Sequence, residues 1–480
     1  MRWTRAFIMF PLLSIAFALP ACSRSQSQQP TDAGTGAEAG PTGSISPSAS
    51  PAGSLGGKPI EAFKDGPWNL RRPAGIDGTA TASGGPYRSA AGGGAPGGAA
   101  KARDVAPSAP AAMAPAATEA AQPRLQLAAA GPMKAGSTDD NAQFSDFLTF
   151  LAKWSDGTVP AGSVDRLDVA DRKFVRVVDK AGNPVPGASV RVMSEDRAVW
   201  TGTTYGDGRT PFYAKVANDK LGARIEGTQG LQVEARYGAL TKRVPSGAWQ
   251  DEVVVTLEDL APIDAAVKLD VLFVIDTTGS MGDEIERIKT TLLGVTEKLR
   301  GLKTDFDLQY GAVLYRDLTD QYVTSVHPFT SDIAGFDKAL RTVGANGGGD
   351  MPESVNQALA EVVKLEWRTT AAKVAFLIGD APPHMDYQGD VPYGTSLIGA
   401  VSKGIRIHSI AASGLDKAGT YVWRQTAQFT RGKFIFIEYG NVADTAASHG
   451  VAGPVKSNNL DDILFEQIRD ELSGWGRRRP

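Results

Sequence analysis

Residues 268–281 read KLDVLFVIDTTGSM, and they limit the folds open to this chain more than any other segment. The apolar run from Val271 to Ile275 suits burial on both faces of a central parallel strand, which puts Asp276 at that strand's carboxyl end. Open α/β sheets bind their ligands at that end. Asp276, Thr278 and Ser280 then offer a carboxylate and two hydroxyls from a single loop. All are hard oxygen donors, suited to Mg²⁺, with Mn²⁺ or Ca²⁺ as alternatives, so the segment predicts a metal site and not a nucleophile.

Strand and helix patterns alternate from Asp270 onward. The strands are expected at 268–276, 307–315, 321–328, 373–379, 405–412 and 432–438. Ile285, Ile288, Leu292, Val295 and Leu299 form one helical stripe after the first strand, with Asp283 and Glu284 in the first turn. Leu460, Leu464, Ile468 and Leu472 predict a closing helix that stops near Gly474. The expected fold is therefore a doubly wound, mostly parallel α/β sheet of about six strands. Upstream, Phe144, Phe147, Leu148 and Leu151 predict a short helix, after which the periodicity changes to alternation. In LQVEARYG and GASVRVM apolar and polar residues alternate, and AGNPVPG and YGDGR supply turns, so residues 164–258 read as a small antiparallel β-sandwich.

Two further carboxylates fall where such a sheet would use them. Asp380 follows the apolar strand of AAKVAFLIGDAPPH, and Asp350 sits in the glycine loop GGGDMPESV, just before a helix that Pro352 can begin. DxTGS, the glycine loop and the post-strand aspartate, in this order, resemble the metal-ion-dependent adhesion site of the von Willebrand factor A family over roughly residues 266–475. The resemblance implies Asp276, Thr278, Ser280, Asp350 and Asp380 as metal ligands and a protein partner bound through the cation. Asp350 stands where the family usually has threonine, so the site is expected to be more acidic than in its relatives, to hold its cation more tightly and to favour acidic ligands less. Alternatively Asp350 caps its helix. His384, beside Asp380, is either a ligand or general base or a hydrogen-bonded surface residue, and Tyr315, Arg316 and Asp317 either shape a binding rim or hold an internal ion pair. The stretch from VVDKAGNPVPGASVRV to TGTTYGDGRTPF resembles carboxypeptidase-regulatory-like and Cna-B-like β-sandwich modules, which implies a spacer or stalk. Asp207 in its YGDG segment reads as a turn residue.

The N-terminal part denies length to any core. Residues 1–21 combine two arginines with an apolar run, and Cys22, the chain's one cysteine, follows at once. LPAC at Leu19–Cys22 resembles a bacterial lipoprotein signal, with Pro20 as a departure, and implies a lipid on Cys22 that anchors an exported protein to the cell envelope, at the outer membrane where there is one. Residues 22–140, rich in Ala, Gly, Pro and Ser, read as a disordered linker with one aromatic island at Phe63 and Trp68. The helix and sandwich then occupy 141–262, the α/β domain 263–475, and a basic tail 476–480. A net charge of −3 argues against nucleic acid as a partner.

Four histidines, with no HExxH, GxSxG or GxxxxGK motif, argue against an enzyme. A lipid-anchored binding protein is the reading these features favour. A Mg²⁺-dependent phosphatase is the alternative, since haloacid-dehalogenase-like enzymes also begin with an aspartate at a strand end, but they carry a second aspartate two positions on, where this chain has Thr278. A structural envelope protein whose metal stiffens a loop is the third.

Overall fold

The computed structural model describes residues 132–260, 266–301 and 306–476. The signal segment, Cys22, the aromatic island and Arg477–Arg479 lie outside them. The chain order begins with β1 (Lys134–Thr138) and α1 (Phe144–Ser155). Then come β2 (Lys173–Asp179), β3 (Ser189–Ser194), β4 (Arg197–Thr203), β5 (Arg209–Phe212), α2 (Ala214–Leu221), β6 (Leu231–Tyr237), β7 (Leu240–Pro245) and β8 (Glu252–Leu257). The α/β part continues with β9 (Val267–Asp276), α3 (Ile285–Arg300), β10 (Phe306–Tyr315), β11 (Thr324–Thr330), α4 (Ile333–Arg341), α5 (Val355–Lys364), β12 (Ala371–Gly379) and α6 (Tyr393–Lys403). It closes with β13 (Ile405–Ala411), α7 (Lys417–Phe429), β14 (Phe434–Ile437), α8 (Val442–Ser448), β15 (Lys456–Asn459) and α9 (Leu460–Trp475).

The large sheet has the order β11-β10-β9-β12-β13-β14-β1-β15. Its five middle strands are parallel, and β11, β1 and β15 are antiparallel to their neighbours. The doubly wound expectation holds, and β9 behaves as its apolar run dictates. Leu269, Val271, Phe273 and Ile275 pack with α3, α4 and α9, while Leu272 and Val274 pack with α5, α6 and α7 on the other face. The sheet has eight strands and not six because β1 and β15 extend it. Neither carries a strong apolar alternation: KAGST and KSNN form strands because β14 and each other offer paired backbone partners. β1 lies inside the stretch read as linker and begins ten residues before the expected helix.

Two smaller sheets, β5-β2-β8 and β4-β3-β6-β7, make up the sandwich. It is not wholly antiparallel, because β2 and β8 pair in parallel along Phe174–Asp179. Nor is it a free spacer. Its apolar residues and one helical face of the large sheet form a single core, in which Tyr213 stacks on Phe429 at 4.6 Å and Trp200 meets the same ring edge-on. Each such fully buried aromatic contributes about 1.5–3 kcal/mol. Asp207 lies in a turn, as read, and its carboxylate takes a forked ion pair from Arg431 of the α/β part at 2.8 and 2.9 Å.

α9 crosses the sandwich so closely that a Cβ on Gly474 would stand 1.6 Å from the Gly206 carbonyl oxygen. Gly474→Ala is therefore expected to cost at least about 1–3 kcal/mol through displaced backbone, measured by urea unfolding. An unchanged midpoint would mean that the crossing yields freely.

Candidate functional site

The register of the sheet assembles the site at the carboxyl ends of β9, β10 and β12. Asp276 pairs with Tyr315 of β10, and Ile275 with Ile378 of β12, so Asp276 and Asp380 end adjacent strands. Gly379 makes this closeness feasible: a Cβ there would meet the Tyr315 hydroxyl at 2.3 Å and Asp276 at 3.2 Å. Asp276 Oδ1 accepts from the Thr278 amide at 2.9 Å and the Thr278 hydroxyl at 2.6 Å. The Ser280 hydroxyl lies 3.1 Å from that of Thr278 and donates to Asp380 Oδ1 at 3.0 Å. Asp276, Thr278, Ser280 and Asp380 are thus one linked cluster.

The glycine loop folds over it. Gly279 N–H donates to the Gly347 carbonyl and Asn346 N–H to that of Thr277, at 3.0 and 2.9 Å. Arg316 braces both loops from beneath, donating to the Thr277 and Gly344 carbonyls at 3.1 Å each, with its guanidinium over the Tyr322 ring. The Asp317 oxygens beside it accept from Tyr387 and Ser354.

Asp350 is placed elsewhere than its neighbours in the motif. Its side chain is 64% exposed and stands 3.6 Å from His384 Nε2. The acid of the glycine loop that faces the cluster is Glu353, which is buried and feels the charges of both Asp276 and Asp380. Backbone bonds hold it there: Glu353 N–H donates to the Pro382 carbonyl at 2.9 Å, and His384 N–H to that of Glu353 at 3.0 Å. Glu353 carries no local sign of this placement: Asp350 is the acid nearest the glycines, whereas the bridge to the DAPPH segment brings in the acid three positions later. Glu284 adds a fourth buried carboxylate, accepting from the Ser413 amide at 3.1 Å.

Crowded burial sets the electrostatics. Burial pushes Asp276 up from the usual carboxylate range, against the lowering by Thr278 and Tyr315. It raises Asp380 too, reinforced by Asp276. Glu353 is pushed up to about 9 by burial first and then by Asp276, Asp317, Asp320 and Asp380. The Tyr315 hydroxyl lies near enough to Asp276 to help it, and donates a long hydrogen bond to the Ile378 carbonyl at 3.5 Å. Asp276 Oδ2 and Glu353 Oε2 are left buried without a hydrogen-bond partner. Two orphaned carboxylate oxygens beside hydroxyls and a third acid fit a hard divalent cation, which would neutralise what the protein leaves unpaired.

A parallel sheet with oxygen donors from three loops at its carboxyl edge defines an α/β domain with a candidate metal site. Residues 270–390 match the family described as the von Willebrand factor A domain, so this part of the chain carries such a domain. Among curated proteins, the alpha-protein kinase vwkA of Dictyostelium discoideum is 31% identical over 236 residues, 45% of this chain and 38% of its own length. The putative ariadne-like RING finger protein R811 of Acanthamoeba polyphaga mimivirus is 28% identical over 127 residues, 25% of this chain and 12% of its own. The chain therefore spans less than half the length of these curated relatives. Among solved structures, the conserved hypothetical protein BatB of Bacteroides thetaiotaomicron is similar at 13% identity and a TM-score of 0.27, over 38% of this chain and 97% of that one. An aerotolerance-related membrane protein of Bacteroides fragilis has 12% identity and a TM-score of 0.28, over 42% and 99%. No helix among the described residues is long and apolar enough to cross a membrane.

Proposed function

We propose that this is a non-enzymatic binding protein of the bacterial cell envelope, anchored by lipid on Cys22, which recognises a protein partner through a divalent cation, Mg²⁺ before Mn²⁺ or Ca²⁺. The observation that carries this reading is the pair of buried, unpartnered oxygens, Asp276 Oδ2 and Glu353 Oε2. Asp276, Asp380 and Glu353 would supply charge and Thr278 and Ser280 hydroxyl oxygens, with Glu353 in the role first given to Asp350. An ion so held keeps a position for an outside donor. Three carboxylates around one divalent ion leave a net negative charge, which disfavours an acidic donor from the partner and favours a neutral oxygen.

Partner capture by the full chain tests this. Proteins retained in Mg²⁺ are expected to be lost in EDTA and with Asp276→Asn. A retained set indifferent to both would leave the cation a structural role only.

A further inference from the structure

We propose that His384, Asp317 and Asp350 form a second metal site, suited to a borderline transition ion such as Zn²⁺ or Co²⁺, beside the oxygen-lined cluster. One ligand atom from each of the three lies within 4.8 Å of the others. His384 Nε2 is 3.8 Å from Asp317 Oδ1 and 3.6 Å from Asp350 Oδ2. Ligands on a common ion at bonds of about 2.1 Å stand about 3.0–3.4 Å apart, so an ion would draw these atoms in by a few tenths of an ångström. As plain hydrogen bonds the same distances are too long.

The histidine points to a ligand independently of the two acids. Its side chain is only 6% exposed, and Nε2 has no hydrogen-bond partner. Its other nitrogen is committed: Nδ1 lies 2.8 Å from Asp386 Oδ1, and since a carboxylate only accepts, Nδ1 carries the proton. In the neutral ring the Nε2 lone pair is then directed at Asp317 and Asp350, the arrangement in which an outer carboxylate orients a metal-binding imidazole.

The supports are rigid where they can be. The His384 ring stacks on Tyr387 at 3.8 Å and 13°, and the Tyr387 hydroxyl bonds both Asp317 oxygens at 2.8 Å. The Ser354 hydroxyl reaches Asp317 Oδ1 at 3.2 Å. Asp350 is the exposed member, and it borders with His384 a cleft of about 430 Å³. An incoming ion or its exchangeable ligand would enter there.

One imidazole with two carboxylates differs chemically from the all-oxygen cluster. Mg²⁺ prefers oxygen and keeps its waters, whereas imidazole with carboxylate suits Zn²⁺, Co²⁺ and their neighbours. The two clusters can therefore be filled separately.

The test is a titration of the full, metal-stripped chain with Co²⁺ under saturating Mg²⁺, followed by calorimetry and visible absorbance. One Co²⁺ per chain is expected, with His384→Gln lowering its affinity at least about 100-fold and the exposed Asp350→Asn at least about 10-fold. Asp276→Asn, which disables the other cluster, is expected to leave Co²⁺ binding in place, so failure of the first site and of this one are distinguishable. In the wild-type chain the His384 ring signals should shift before those of His327, His408 and His449 in a histidine NMR spectrum. Absence of stoichiometric Co²⁺ binding, binding indifferent to His384→Gln, or first shifts at another histidine would overturn the proposal.

Discussion

Removing the Asp140 carboxylate, as Asp140→Ala, is expected to cost about 3–5 kcal/mol of folding stability. Asp140 and Arg424 are both almost fully buried, with Nη2 to Oδ1 at 2.6 Å and Nε to Oδ2 at 3.0 Å. Arg424 also donates to the Gly450 carbonyl at 2.8 Å and lies 3.8 Å over the Phe150 ring. It thus ties the segment after β1, α1 and the α8 turn to α7. Burial outweighs the guanidinium at Asp140, whose carboxyl is held above its usual range. The loss comes from leaving a desolvated cation without its counter-charge, more than from the worth of the pair. Replacing both partners by apolar residues, Asp140→Leu with Arg424→Met, should therefore recover most of what the single change removes. Urea unfolding measures both, and a single-variant loss below about 1 kcal/mol would show that water reaches the pair.

Cation removal should have its largest effect above neutral pH. Glu353 rises from an ordinary value of 4.5 to about 9, and Asp276 and Asp380 move in the same direction. A carboxyl raised in the native state favours folding fully below its unfolded value, and that contribution is lost as pH rises through the native one. The cation-free chain is thus expected to lose stability from about pH 4.5 to about pH 9, the span of Glu353. Mg²⁺ needs the same groups ionised, so it stabilises most where the free chain is weakest. At a hundredfold excess over Kd the gain is about 2.7 kcal/mol. Thermal unfolding with Mg²⁺ or EDTA should differ clearly near pH 8 and converge near pH 5, within about a degree. Glu353→Gln should flatten the pH dependence of the cation-free chain and weaken Mg²⁺ binding, while Asp350→Asn should do neither. Equal unfolding temperatures with Mg²⁺ and EDTA near pH 8 would remove the cation from the cluster.

Much of the cluster was legible because strand chemistry is local. An apolar run flanked by polar residues declares a two-faced central strand: β9 ends in Asp276, and β12 ends at Gly379, one residue before Asp380. Thr278 and Ser280 came with Asp276 because they share its loop. Glu353 was not legible in the same way, since the choice between it and Asp350 depends on one backbone bridge to Pro382. His384 and Asp317 were both singled out in the sequence, but not as a pair. Only the folded chain sets Tyr387 between them.

Local pattern by itself determined the parallel core sheet, the helices on both its faces, and the loop in which Asp276, Thr278 and Ser280 meet, because burial periodicity acts within a few residues. Tertiary structure alone decided three other things: β1 in the sheet, the sandwich docked against α6 and α7, and which acids face one another. Each rests on backbone pairing or on charge and ring contacts between residues far apart in sequence, such as Asp140 with Arg424 and Tyr213 with Phe429. Such contacts carry no local period, and they form only once the elements that bear them have packed.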